Sequence, residues 1–136
     1  MYLSCIIPAY NEERRIEKTV REVDIYLRSK NFADGYEIIV VDAASKDRTA
    51  EIVKNLQPIT HNLKLLKVDN RGKGWAVKKG MQEAKGDIRL FSDADNSTPP
   101  KYFDDMEPFF KQGCEVVISS RDAKDAKGAT RDAEEQ

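Results

Sequence analysis

The segment that most directly indicates the fold is residues 36–42, which read Tyr36-Glu37-Ile38-Ile39-Val40-Val41-Asp42. Apart from Glu37 its interior is continuously apolar, which is typical of a strand buried on both faces of a parallel sheet. Four other short runs are mainly apolar: residues 2–7, 63–68, 88–91 and 116–119. Segments with the three- and four-residue apolar spacing of helices separate most of them. This alternation predicts an α/β fold, a mostly parallel sheet flanked by helices with right-handed crossovers.

Capping signals bound the predicted helices. The first is expected over residues 12–30, with Asn11 as its N-cap. The second follows a capping segment at residues 45–47 and ends near Leu56, just before a proline. The third is expected over residues 73–84, where a glycine follows its end.

Length and charge restrict the organisation and the partners of the chain. Its 136 residues fit one domain, and 23 basic against 24 acidic residues leave a net charge of -1. Without a global basic field, nucleic acid is not an expected partner. No apolar run approaches the ~20 residues that a membrane-spanning helix needs, so a cytoplasmic location is expected. Residues 121–136 contain no Val, Ile, Leu or aromatic residue. We therefore predict a folded domain over residues 1–121 and a flexible tail or an interrupted loop over residues 122–136.

Two acids follow the fourth predicted strand, in the sequence Phe91-Ser92-Asp93-Ala94-Asp95. Side chains alternate faces along a strand, so Asp93 and Asp95 can point at one site only where the chain has turned. Ligands collect at the carboxyl ends of strands in open α/β sheets, and carboxylate oxygens suit hard cations such as Mg²⁺ or Mn²⁺. The alternative is a solvated turn that caps the next helix.

A second candidate site is Arg71-Gly72-Lys73-Gly74, at the start of the third predicted helix. The glycines allow close backbone approach, while the helix N-terminus and Lys73 favour an anion. The spacing is not that of a P-loop, and a flexible turn is the alternative interpretation. His61 is the only histidine and is expected at the surface, so any reaction must proceed without an evident histidine base.

Taken in order, the strand-end motifs resemble those of family 2 glycosyltransferases of the GT-A fold. The similarity is greatest to polyprenyl- or dolichyl-phosphate glucosyl- and mannosyltransferases, and it covers residues 1–121. The matching segments are Ile6-Ile7-Pro8-Ala9-Tyr10-Asn11-Glu12, Ile39-Val40-Val41-Asp42 with Ser45, Asp47 and Thr49, Asn70-Arg71-Gly72-Lys73-Gly74, Gly86-Asp87, Asp93-Ala94-Asp95 and Ser120-Arg121.

The resemblance implies a role for each matching site residue. Base and ribose would be bound by Pro8, Tyr10, Glu12 and Asp42, and Lys73 would lie near the nucleotide. Asp93 and Asp95 would form a D-x-D motif that binds the nucleotide through Mg²⁺ or Mn²⁺, with Asp95 the more direct metal ligand. Arg121 would approach the phosphates or the acceptor. The catalytic set implied in this way is Asp93, Asp95 and Arg121.

The implied activity is metal-dependent, inverting transfer of a hexose from UDP-glucose or GDP-mannose to a lipid-phosphate acceptor. A full-length enzyme would act at the cytoplasmic face of a membrane, in glycan biosynthesis. The alternative is a non-catalytic nucleotide-sugar-binding module or an inactive fragment. The family's usual second acid after the second strand is Ala43 here, which favours that alternative. A nucleotidyltransferase is disfavoured, because no glycine- and arginine-rich loop follows the first strand.

Two further expectations concern the extent of the chain. The family's acceptor-binding region would begin where this sequence stops, so the domain is expected to be truncated after the fifth strand. The resemblance also implies a missing antiparallel strand between the fourth and fifth strands. Unpaired strand edges invite association, so a homo-oligomer is expected.

Overall fold

The computed structural model describes residues 2–94 and 100–113. The predicted fifth strand at residues 116–119 and the predicted tail at residues 122–136 lie outside the described residues. So do two of the predicted site residues, Asp95 and Arg121.

Four parallel strands form one sheet. They are β1 (Leu3–Ala9), β2 (Tyr36–Asp42), β3 (Leu63–Lys67) and β4 (Ile88–Phe91), in the order β3-β2-β1-β4. Pairing is in parallel register, with Ile6 of β1 opposite Ile39 of β2 on one side and Phe91 of β4 on the other. Every residue of β1 and β2 is buried, as their apolar composition predicts for the centre of such a sheet. The predicted parallel α/β architecture is confirmed.

The described residues form four helices: α1 (Ile16–Lys30), α2 (Thr49–Leu56), α3 (Lys73–Glu83) and α4 (Phe103–Lys111). Single 3₁₀ turns occupy Gln57–Ile59 and Pro100–Tyr102. No helix among the described residues is both long enough and apolar enough to cross a membrane.

The start of α1 differs from the prediction. The helix begins at Ile16 instead of Glu12, its N-cap position is Arg15, and no side chain caps it. Asn11 was expected to be that N-cap, which is wrong. It adopts a left-handed conformation (φ 51°), and its side-chain carbonyl accepts a hydrogen bond from the Lys46 N–H at 2.8 Å. Asn11 bonds across to another loop, so its side chain is not available to the helix that follows it.

The order of the strands places the helices on both faces of the sheet. The chain moves outward from β1 through β2 to β3, then returns across the sheet to β4. With right-handed crossovers, α1 and α2 therefore lie on one face and α3 lies on the other. Ile6, Ile39 and Val41 pack with Ala76 and Ala84 beneath α3. The direction of winding reverses between β1 and β4, and their carboxyl ends are where such folds bind ligands.

A buried charge network ties the opposite, amino edge of the sheet together. Glu37 of β2 is fully buried and accepts hydrogen bonds from Ser4 Oγ (2.5 Å), Lys64 Nζ (2.6 Å) and the Lys85 N–H (2.7 Å). Burial alone raises the pKa of this carboxyl group, but the contacts with Lys64, Ser4 and the Lys85 amide outweigh burial and lower it. The carboxylate thus links three strands to the segment that leads into β4.

A second compact unit begins at Thr98 and contains α4. Within it the rings of Phe103 and Phe110 stack with centroids 6.4 Å apart. Pro108 lies inside this short helix, and Phe103 and Met106 are its buried residues.

Candidate functional site

The carboxyl ends of β1, β2 and β4 lie side by side and form the base of the candidate site. Backbone hydrogen bonds extend the sheet by one residue beyond the strands, from Ser92 N–H to the Ile6 carbonyl (2.8 Å) and from Ala43 N–H to the Ala9 carbonyl (2.9 Å). The loops after these strands therefore leave the sheet side by side. Topology alone predicted this convergence, because parallel strands end at one edge.

The loop after β1 holds three of the predicted site residues. Pro8 is buried within β1 opposite Val41, Tyr10 is 40% exposed just beyond the strand, and Glu12 is half-buried. The Glu12 carboxylate forms an ion pair with Arg15 at 2.9 Å, while the carbonyl of Glu12 accepts the Ile16 N–H at the start of α1. Tyr10 is thus the most accessible of the three side chains at this edge.

Asn11 joins that loop to the loop after β2. Its N–H donates to Ser45 Oγ at 2.9 Å, and its side-chain carbonyl accepts the Lys46 N–H. Because both partners are more than thirty positions away in the sequence, this arrangement arises only when β1 and β2 pair. The two bonds hold the Tyr10 and Asp42 loops at a constant separation.

Asp47 and Thr49 make a second connection between the same loops. The Asp47 carboxylate accepts the Thr49 N–H (2.9 Å) and the Glu13 N–H (3.2 Å), and Thr49 Oγ1 accepts the Glu12 N–H (2.9 Å). Burial by itself raises the pKa of Asp47, but the hydrogen bonds from Thr49 and from the Glu13 amide outweigh burial and lower it. The predicted capping segment before α2 is therefore confirmed only for Asp47, which binds the first helical N–H and also positions the backbone of Glu13.

Asp42 ends β2 and is only 3% exposed. One of its carboxylate oxygens accepts the Ser45 N–H at 3.1 Å, which stabilises the turn over residues 43–45. That turn requires a left-handed residue, and Ala44 supplies it with φ 57°. A side chain with a Cβ is disfavoured in this conformation, so Ala44 is strained where a glycine would not be.

Lys73 and Asp93 form an ion pair between the start of α3 and the end of β4. The Lys73 ammonium also lies 5.6 Å from the centre of the Phe91 ring. The structure therefore brings together the two motifs that the sequence predicts separately, the Arg71-Gly72-Lys73-Gly74 turn and the first acid after β4. The carboxylate of Asp93 already faces a positive charge in this arrangement.

The backbone before α3 is open to solvent. Gly72 is the N-cap residue with φ 99° and ψ 168°, and a Cβ built on Gly72 or Gly74 would meet no atom within 4 Å. The first amides of α3 have no carbonyl partner within the helix, and together with the helix dipole they favour an anion. Close approach of a ligand to this turn is sterically unhindered.

Two residues near Asp93 were not identified from the sequence. Thr19, which lies in the apolar stripe of α1, donates from Oγ1 to the Ala94 carbonyl and so anchors the segment after β4. Ser92 is 5% exposed, and its Oγ has no hydrogen-bond partner among the described residues. Neither role has a local sequence signal, because both depend on how α1 and β4 pack.

The donor type at Asp93 fits a divalent cation, since hard cations prefer carboxylate oxygens. Within residues 2–94 and 100–113 there is no group of three or more His, Cys, Asp or Glu side chains placed to hold a metal ion. Asp93 is a described carboxylate at this edge that could ligate a metal, and Asp95, the other predicted ligand, lies outside the described residues.

Comparison with known proteins yields a consistent set of relatives. The chain is 42% identical over 132 residues to a dolichyl-phosphate beta-glucosyltransferase of Dictyostelium discoideum, covering 89% of this chain and 40% of the relative. It is 35% identical over 127 residues to a dolichol-phosphate mannosyltransferase of Pyrococcus furiosus, covering 93% of this chain and 35% of the relative. The chain thus spans about two fifths or less of the length of these relatives.

Solved structures show the same fold. Residues 1–349 of S. aureus TarS superpose with a TM-score of 0.66 at 27% identity, covering 82% of this chain and 33% of that one. A mannosyltransferase from Pyrobaculum calidifontis in complex with GDP-Man and Mn²⁺ superposes with a TM-score of 0.60 at 33% identity, covering 68% and 27%. Residues 4–135 match the family described as Glycosyl transferase family 2. The expected resemblance is confirmed, and the chain belongs to glycosyl transferase family 2.

Proposed function

We propose that this chain is the nucleotide-sugar-binding part of a glycosyltransferase that moves a hexose from UDP-glucose or GDP-mannose to a lipid-phosphate acceptor. The observation that carries the proposal is the ion pair of Lys73 with Asp93 at the reversal point between β1 and β4. It joins an open anion-binding turn to a carboxylate suited to a metal. The names of the relatives, dolichyl-phosphate glucosyl- and dolichol-phosphate mannosyltransferase, support this class of acceptor.

In this proposal the base and ribose lie against the joined loops after β1 and β2. Tyr10 offers an exposed ring, and the Glu12 and Asp42 carboxylates would accept hydrogen bonds from ribose or base. Pro8 restricts the backbone beneath them. The hydrogen bonds of Asn11 and Asp47 fix the distance between the two loops, so the loops are held in position before the ligand arrives.

The diphosphate would lie over the start of α3. Lys73 and the free amides of the first helical turn provide positive charge there, and the glycines leave room for the phosphate oxygens. Asp93, with Asp95, would hold Mg²⁺ or Mn²⁺, and a metal so held stabilises the charge of a departing diphosphate as a Lewis acid. Arg121 would approach the phosphates or the acceptor. A cation held by Asp93 would supply the positive charge that Lys73 supplies in this structure, so Lys73 would be able to bind the diphosphate instead.

The transfer forms a bond between an acceptor phosphate oxygen and the anomeric carbon, and it breaks the bond from that carbon to the nucleotide diphosphate. Direct displacement inverts the anomeric centre. The attacking oxygen is already anionic, so no general base has to remove a proton. The single histidine does not contribute to this step, because His61 packs against the Tyr36 ring at the amino edge of the sheet, with centroids 4.9 Å apart.

Calorimetric titration tests the binding half of the proposal. UDP-glucose and GDP-mannose are titrated into the chain with Mn²⁺ or with EDTA. Asp93→Asn is compared with Asp87→Asn, a matched control at the exposed amino end of the same strand. We expect metal-dependent binding by the unchanged chain and by Asp87→Asn, and its loss in Asp93→Asn. Equal affinity with Mn²⁺ and with EDTA, or an equal loss in both variants, would contradict the site.

The second candidate function is a non-catalytic nucleotide-sugar-binding module, which Ala43 in place of an acid favours. A transfer assay with a radiolabelled donor and polyprenyl phosphate distinguishes this module from the proposed glycosyltransferase. We expect this chain alone to bind donor without transferring sugar, and a longer protein that also contains an acceptor-binding region to transfer it. Donor binding without transfer by the longer protein would favour the module. The predicted homo-oligomer remains a prediction, which light scattering tests.

A further inference from the structure

One segment of the chain concentrates positive charge. Residues 64–85 contain seven Lys or Arg and two Asp or Glu, although the whole chain has a net charge of -1. The remaining residues are therefore net acidic. The positive segment comprises most of β3, the turn at Arg71 and the whole of α3. Such an asymmetry is the electrostatic pattern of a surface that meets a negatively charged partner.

The outward side of α3 carries the core of this charge. Arg71, Trp75, Lys78 and Lys79 follow one another at the spacing of successive helical turns, and we call them the α3 basic surface. Arg71 and Lys78 are exposed, whereas Ala76 and Gly80 on the inward side are buried against the sheet. The four residues therefore lie on a surface that the sheet does not cover.

Arg71 forms an ion pair with Asp69 at 3.3 Å, but the two lysines of this surface differ from the cations of α1 in their partners. In α1, Lys18, Arg21 and Arg28 each pair with an acid one turn away. Lys79 has Glu83 one turn away as well, yet its ammonium lies 4.5 Å from the centre of the Trp75 ring. Among the described residues no carboxylate is within ion-pair distance of Lys78 or Lys79. The charge of α1 is thus neutralised locally, and much of the charge of α3 is not.

Trp75 lies at the centre of the surface and is the only tryptophan of the chain. The Arg71 guanidinium, four residues before Trp75, lies 4.7 Å from the centre of the Trp75 ring. A half-buried indole flanked by cations matches the boundary of a bilayer, where tryptophan occupies the headgroup level and basic residues meet phosphates. Nucleic-acid surfaces instead present open aromatic faces on which bases stack, and here two cations approach the ring.

We propose that the α3 basic surface docks on an anionic lipid membrane. Docking by this surface also orients the candidate site, because α3 begins at Lys73, which pairs with Asp93. The carboxyl edge of the sheet would then lie at the level of the headgroups, where the phosphate of a lipid acceptor is found. This orientation rests on the proposed function, whereas the docking itself does not require sugar transfer.

Vesicle binding tests the proposal directly, with Trp75 as an intrinsic probe. The 136-residue chain is mixed with vesicles of phosphatidylcholine alone or of equal parts phosphatidylcholine and phosphatidylserine. We expect sedimentation with the anionic vesicles only, together with a blue shift of the Trp75 emission. Binding should weaken steeply as salt rises above about 0.15 M, where the Debye length is ~8 Å.

Two double variants assign the effect to the surface. Lys78→Gln/Lys79→Gln removes two charges from it, and Lys18→Gln/Lys54→Gln removes two exposed charges from α1 and α2 on the other face. We expect the first variant to bind anionic vesicles about twenty-five-fold more weakly, at roughly fivefold for each lysine, and the control to change little. Both should retain the circular dichroism spectrum and the nucleotide affinity of the unchanged chain.

Several results would overturn the docking proposal. One is equal binding to neutral and anionic vesicles, and another is an equal loss of vesicle binding in the two double variants. The others are vesicle binding with no change in Trp75 emission, and binding to single-stranded RNA without binding to vesicles. Each leaves metal-dependent nucleotide binding intact. Conversely, loss of nucleotide binding in Asp93→Asn leaves vesicle binding unaffected, so the two proposals fail separately.

Discussion

Gly80 is the point where α3 comes closest to the sheet, and replacing it by alanine tests how tightly the two are packed. A Cβ at this position would lie 2.5 Å from Ile6 Cγ2, 3.0 Å from Val41 Cγ2 and 3.1 Å from Ile6 Cγ1. Carbon atoms in contact normally lie about 3.5–4.0 Å apart. Ile6 and Val41 are fully buried, β-branched and stiff about χ1, so neither side chain can move aside freely.

Two effects of opposite sign decide the result. Alanine favours the helix over glycine by about 1 kcal/mol. Overpacking a well-filled core costs about 1–3 kcal/mol, and a contact this short at two rigid side chains belongs at the upper end. The expected net effect of Gly80→Ala is therefore a loss of about 2 kcal/mol in the free energy of unfolding.

Gly74→Ala is the matched control on the same helix. A Cβ there meets nothing within 4 Å, so only the propensity term remains, and stability should be unchanged or rise by up to about 1 kcal/mol. Urea denaturation followed by Trp75 fluorescence and circular dichroism measures both variants. Tight packing of Gly80 against Ile6 and Val41 would be contradicted if Gly80→Ala were as stable as the unchanged chain, or if both variants shifted in the same direction by similar amounts.

Four further outcomes can be measured. Gly86→Ala should destabilise the fold more than Gly80→Ala in the same urea assay, because its Cβ would lie 2.5 Å from the backbone nitrogen of Ser4, which cannot rotate away. The folded-state pKa of Glu37 is lowered. The stability that its carboxylate contributes is therefore present above the unfolded pKa of about 4.3 and is lost as pH falls through the folded pKa. The urea midpoints of Glu37→Gln and of the unchanged chain should therefore converge as the pH is lowered. Burial and the hydrogen bond to Asp24 raise the pKa of Tyr36 to about 12. The stability that the Tyr36 hydroxyl contributes is therefore fully present below its unfolded pKa of about 10 and is lost as pH rises through the folded value of about 12. Tyr36→Phe should unfold earlier than the unchanged chain at neutral pH, with a smaller difference in strong alkali. Burial raises the pKa of the Cys5 thiol to about 12, so iodoacetamide should modify it only in denaturant, as mass spectrometry would show.

Local sequence was enough to determine the sheet and its direction. The apolar run at residues 36–42 is long enough only for a strand, and it lacks the alternation of a strand with one face in water. Repeated strand-helix order then requires parallel pairing with right-handed crossovers. That topology places the turn at Lys73 and the carboxylate of Asp93 at the same edge of the sheet, the one where the parallel strands end. The sheet and its strand direction can be predicted because they depend only on the local apolar pattern and on the right-handed crossovers that parallel strands almost always have.

Tertiary structure decided the details that connect distant segments. Asn11 carries the sequence signal of an N-cap, but pairing of β1 with β2 brings the Lys46 amide within 2.8 Å, and the side chain bonds there instead. Glu37 interrupts an apolar strand without any local sign of a partner, and Ser4, Lys64 and the Lys85 amide reach it only after the sheet has formed. Thr19 belongs to an apolar stripe, yet its hydroxyl holds the carbonyl of Ala94. A polar side chain bonds to whichever group folding places within about 3 Å, and for these residues that group is far away in sequence.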